Sequence, residues 1–180
     1  MTLFGLFGRK SPIQSPKELA DFIDEQASSL LHEGLEAPRW RAYPLGLAMT
    51  GELIDGVLRI HAGTQKQALA DEYIDLVLGV FDRHPVPTEI GKEAWRDARS
   101  ALALRLDEIS TRPAKSAGDI PTQYVKRYLA LIPAAAKPDA GATQEVLARN
   151  LLNAGQELEK RMDAAAMAAE LKKGVEDDAS

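Results

Sequence analysis

Residues 45–63 read LGLAMTGELIDGVLRIHAG, and the fold turns on how they are taken. As a helix this stretch carries Gly46, Gly51 and Gly56, each costing about 1 kcal/mol against alanine. As a hairpin it uses Asp55-Gly56, a favoured two-residue turn between right-twisting strands. That register sets Glu52 opposite Arg59 and Leu53 opposite Leu58, a charge pair and an apolar pair across the strands. Val57, Leu58 and Ile60 favour strand. The pattern therefore predicts a β-hairpin over about residues 45–62. An isolated hairpin is marginal in water, so it would pack on neighbouring helices.

The flanking segments read as helices. Ser15, Pro16 and Glu18 form a capping box with proline at the first helical position, and Leu19, Phe22, Ile23, Gln26 and Leu30 follow at helical spacing. Gly34 ends that helix, and APRWRAYP (37–44) reads as a connector. Thr64 and Gln67 predict a second capping box, ahead of an apolar stripe of Leu69, Tyr73, Val77, Val80 and Phe81. A further helix places Trp95, Ala98, Leu102, Leu106 and Ile109 on one face. STRPAKSAGD (110–119) is a polar loop, and a short helix with Tyr124, Val125, Tyr128 and Leu129 lies between Pro121 and Pro133.

From Thr143, as its cap, one long helix is predicted. Leu147, Leu151, Ala154, Leu158, Met162, Ala165 and Ala169 step by four, three, four, four, three and four, nearly a heptad. At 1.5 Å per residue, residues 143–173 would span about 46 Å, more than a small core needs. Asn150, Asn153 and Gly155 interrupt it with weaker helix formers, either for close approach of another helix or for a bend.

The segments give a mainly α chain: a four- or five-helix bundle-like domain with one hairpin and a long C-terminal helix. Its divisions are an apolar and basic arm (1–14), a helical core (15–133), a linker (134–142), the long helix (143–173) and a disordered acidic tail (174–180).

Composition narrows function more by exclusion. The 180 residues hold 22 Lys and Arg against 27 Asp and Glu, a net charge of −5, which argues against nucleic acid as a partner. Arg96, Arg99 and Arg105 are diluted by Asp97, Asp107 and Glu108 and read as a solvated face. With no cysteine there is no disulfide, thiol nucleophile or thiolate-bound metal, which fits a reducing compartment. No apolar run approaches the roughly 18–20 residues of a membrane span, and the opening lacks the order of a secretory signal. The expected location is the cytoplasm, with a peripheral position at a membrane as the alternative.

No catalytic constellation is present. His32, His61 and His84 lack metal-ligand spacing and read as surface or capping residues. Asp21, Asp24 and Glu25, like Asp71, Glu72 and Asp75, read as solvated acidic faces, so neither metal nor cofactor is expected. Gly63, Thr64 and Lys66 resemble a helix start able to hold an anion, although the full phosphate-loop pattern is absent.

The opening MTLFGLFGRK sets Leu3, Phe4, Leu6 and Phe7 beside Arg9 and Lys10. Half-burying four such side chains at a membrane surface gives roughly 5 kcal/mol. Ordering the segment costs a comparable amount, so it is no firm anchor alone. The leading expectation is a non-enzymatic protein–protein interaction module, such as an adaptor, accessory factor or assembly subunit. It would bind a protein partner or a second copy through that arm and through Leu147, Leu151, Leu158 and Met162 of the long helix. The alternatives are an anionic-ligand binder or enzyme using Gly63–Lys66, and a peripheral membrane protein using the arm.

Overall fold

Helix α1 (Pro16–Ser29) starts as its sequence dictates. Ser15 Oγ accepts from the Glu18 amide at 3.2 Å, while Glu18 Oε2 accepts from the Ser15 amide at 2.9 Å and the Gln14 amide at 2.7 Å. The computed structural model describes residues 10–31 and 37–178, with side chains to residue 174. The helix buries Leu19, Phe22, Ile23 and Ala27 completely.

The decisive stretch is helical. Helix α2 (Arg39–Leu58) runs through the connector and the expected hairpin alike, and a short 3-10 turn (Arg59–His61) follows it. No strand forms at 45–62, and Asp55-Gly56 is no turn. The physical reason is burial. Every residue from Gly46 to Asp55 is inside, and α2 packs against five other helices. A helix buried all round gains far more from apolar burial than the glycines cost in propensity. Two of those glycines also admit neighbours. A Cβ at Gly46 would overlap the carbonyl oxygen of Ala27 on α1, and one at Gly51 would lie 2.6 Å from Leu106 Cδ2. Pro44 sits in the second turn, where it forgoes one rung of the helix ladder.

Helix α3 (Lys66–Asp82) turns the expected stripe inward, burying Leu69, Tyr73, Val77, Val80 and Phe81. Its predicted capping box does not form. Gln65 occupies the cap position with no side-chain bond to the first turn, because Gly63 (φ 61°) carries the chain around, and the Gln67 amide goes to Asp71 Oδ1 at 2.7 Å. Helix α4 (Lys92–Thr111) buries the predicted face of Trp95, Leu102, Leu106 and Ile109. The polar loop follows. A 3-10 turn (Ile120–Gln123) then leads into short helix α5 (Val125–Ala130).

The long C-terminal helix is two helices. Helix α6 (Ala140–Arg161) begins inside the expected linker, capped by Asp139, whose carboxylate accepts from the Ala142 amide at 2.9 Å. Thr143, expected as the cap, is buried in the first turn. The helix continues through Gly155, whose missing Cβ leaves ordinary contact distance to Leu53. It stops at Met162, which is extended and forms a parallel β-bridge with Ile13. The Ile13 amide donates to the Arg161 carbonyl at 2.8 Å, and Arg161 Nε donates to the Ser11 carbonyl at 2.9 Å. Asp163 then caps helix α7 (Ala164–Asp178), accepting from the Ala166 amide at 3.0 Å, and the helix runs on to residue 178, through most of the segment expected to be a disordered tail. The break rotates the stripe: Met167, Ala168 and Leu171 are buried, whereas Ala165 and Ala169 face out. One core cluster joins residues of all seven α-helices among the described residues.

Candidate binding groove

Helices α2 and α4 pack together at Gly51, and beside them lie Arg127 of α5 and the residues at its two ends, Tyr124 and Leu131. The result is an open apolar depression in two connected parts. One, of about 210 Å3, lies between Leu45, Ala48, Ala101, Leu102 and Tyr124. The other, of about 250 Å3, lies between Trp40, Ile90, Ala94 and Trp95. Arg41, Pro44, Ala98 and Leu131 line both, so the two parts form one groove along α4.

Its charged rim is uneven. Arg41 and Arg127 are exposed, and among the described residues neither has an ion-pair partner. Arg105 is different. Its side chain is 11% exposed, donates to Tyr124 Oη at 3.2 Å and pairs with Glu108 at 3.1 Å. Burial works against its charge, but Tyr124 and the two nearby carboxylates hold it firmly as a cation. Behind it, Glu52 accepts from Gln123 Nε2 at 2.8 Å and Tyr124 Oη at 3.0 Å, fastening α5 to α2. Among the described residues that line the groove, Glu89 is the single carboxylate, at the Trp95 end.

The aromatic end is fixed by a second polar tie. Tyr43 Oη donates to Asp24 Oδ1 at 2.6 Å, and His84 Nε2 lies 2.9 Å from the same oxygen. Burial pulls the Asp24 carboxyl upward, but the bonds from Tyr43 and His84 outweigh it and hold it below the usual range. Burial first, and Asp24 second, push the Tyr43 phenol well above its ordinary value, so it stays a donor. The imidazole stands against Trp40 and Tyr43, and Trp40 in turn meets Trp95 edge-on at 6.0 Å. Asp24 and His84 are thus half-buried partners rather than a solvated acid and a helix-end cap. The trio joins α1, α2 and the end of α3, and it sets the Trp40 ring that walls the groove.

The sequence-predicted residues lie elsewhere. Leu147, Leu151, Leu158 and Met162 are 1%, 0%, 0% and 7% exposed, so the stripe expected to meet a partner is spent on the chain's own core. Leu3, Phe4, Leu6, Phe7 and Arg9 lie outside the described residues. Lys10 is exposed and ion-paired with Glu25 at 3.3 Å. Gly63, Thr64 and Lys66 are exposed on the turn into α3, and a Cβ at Gly63 would meet nothing within 4 Å. Of the three arginines read as one solvated face, Arg99 pairs with Asp82 at 2.7 Å, Arg96 approaches Asp97 at 3.8 Å, and only Arg105 reaches the groove. Trp40, Arg41 and Pro44 lie in the stretch whose sequence reads as a connector. The one signal for this surface was the spacing of Ala94, Ala98 and Ala101, which widens the apolar face of α4 beyond its core stripe.

Comparison with protein-family models, with curated proteins and with solved structures found no match. Among the described residues no helix is long and apolar enough to cross a membrane.

Proposed function

We propose that this chain is a non-enzymatic protein–protein interaction module, an adaptor or assembly subunit, whose working surface is the α2–α4–α5 groove. The observation that carries the proposal is the pairing of an apolar floor with two guanidiniums on its rim, Arg41 and Arg127, that have no ion-pair partner among the described residues. Apolar clefts with arginine and aromatic walls are where partner contacts concentrate. The groove takes over the role that the buried C-terminal stripe cannot fill. The N-terminal arm remains a second contact in this proposal, and the absence of cysteine supports the cytoplasm as its setting.

Site-directed photo-crosslinking in cells tests it. A benzophenone side chain placed at exposed Ala101 should yield a discrete protein adduct, whereas one at exposed Lys17 on α1 should not. Identical patterns from the two positions, or no adduct at Ala101, would refute the proposal.

A further inference from the structure

We infer that the groove receives an amphipathic α-helix from a partner protein, its apolar side over Pro44, Ala98 and Leu131 and its acidic side chains against Arg41 and Arg127. This rests on the groove being the interaction surface proposed above.

Three features point to this occupant. The first is length. The lining residues of α4 run from Ala94 to Arg105, about 16 Å at 1.5 Å per residue, which matches three turns of a docked helix. A helix of that length presents anchors at i, i+3, i+4 and i+7. The second is charge. Arg41 and Arg127 come from different helices yet line the same part of the groove, and neither is neutralised within the described chain. Two separated guanidiniums call for more than one carboxylate, as an acidic helix flank supplies and a single fatty-acid head group does not. The third is shape. The apolar residues line a concavity, and the arginines stand on its rim. A bilayer surface would meet the arginines but could not reach the floor.

The chain's exposed Leu104 extends the apolar surface one step outward, since it lies one turn from Ala101 on α4. Contact there would lengthen the apolar anchor without touching the core.

The test uses two synthetic amphipathic 16-residue helices with the same leucine face, one flanked by glutamates and one by lysines, titrated calorimetrically into the full chain. The glutamate peptide should bind, and the charge reversal Arg41→Glu with Arg127→Glu should weaken it at least tenfold. The lysine peptide should show the opposite preference. Both arginines are exposed, so the reversed chain should keep its far-UV circular dichroism. A neutral substitution inside the groove, Ala101→Gln, should weaken the glutamate peptide on the wild-type chain. Equal binding of both peptides, with Ala101→Gln weakening both, would overturn the acidic partner while leaving the groove as the interaction surface. Binding indifferent to Ala101→Gln would overturn the groove itself. Absence of binding by the glutamate peptide, or co-sedimentation of the chain with phosphatidylglycerol vesicles in its place, would overturn the inference.

Discussion

Replacing the three glycines of α2 by alanine, one at a time, should give three different outcomes. Intrinsic propensity alone favours each substitution by about 1 kcal/mol. At Gly56 nothing opposes that gain, because the new methyl would meet only the Lys115 carbonyl oxygen, at 3.7 Å. Gly56→Ala should therefore stabilise the fold by about 0.5–1 kcal/mol. At Gly51 the obstacle is Leu106 Cδ2 at 2.6 Å, the end of a rotatable but fully buried side chain. Its displacement should cancel the gain or leave a deficit of about 1 kcal/mol. At Gly46 the obstacle is backbone: the methyl would overlap the Ala27 carbonyl oxygen and lie 3.0 Å from its carbon. Neither helix can yield locally, so α1 must move away from α2 as a unit. Overpacking of this kind costs at the upper end of about 1–3 kcal/mol, leaving a net loss near 2 kcal/mol. For a chain of this length that lowers Tm by roughly 4–8 °C. Urea and thermal unfolding followed by circular dichroism would measure all three variants. A Gly46→Ala chain as stable as the wild type would refute the close approach of α1 and α2, and with it the argument for why this stretch is a helix.

Tyr43→Phe removes a half-buried bond to a carboxylate and should cost about 1–2 kcal/mol in urea unfolding. Asp24 titrates lower in the fold than in the unfolded chain, so its contribution is present above its ordinary value of 3.8 and is lost as pH falls through the depressed one. The stability gap between the wild type and Asp24→Asn should accordingly narrow as the pH falls below about 3.8. Arg59 pairs with Asp55 and donates to the Ile109 carbonyl at 2.7 Å, tying α2 to the end of α4. Arg59→Met strands a carboxylate that is 4% exposed and should cost about 3–5 kcal/mol, of which adding Asp55→Asn restores a part.

Local signals were legible where one residue's chemistry suffices. The capping box at Ser15 needs only Ser15 and Glu18, and the inward face of α4 needs only its own periodicity. Helix α2 was not legible because its glycines are exceptions made for neighbours: Gly46 for Ala27 and Gly51 for Leu106. Propensity counts their cost and cannot count the burial they permit. The break at Met162 carries no glycine or proline, because it is made by Ile13, about 150 residues earlier in the chain, through a backbone bond. The apolar stripe before the break is legible as a face from its own spacing. Whether it turned to a partner or to the core depended on what the other helices left open. The groove was the least legible feature, since Arg41, Arg105 and Arg127 are far apart in sequence and only packing brings them to one cavity.

Trp40 and Trp95 are the chain's two tryptophans, and both wall the groove. Intrinsic emission therefore reports on this surface with no label. The direct measurement is an emission titration of the wild-type chain with the glutamate-flanked peptide made without tryptophan. A saturable blue shift, with the same midpoint as the calorimetric binding curve, is the predicted result. Calorimetric binding with emission unchanged would place the peptide on another face and contradict the account.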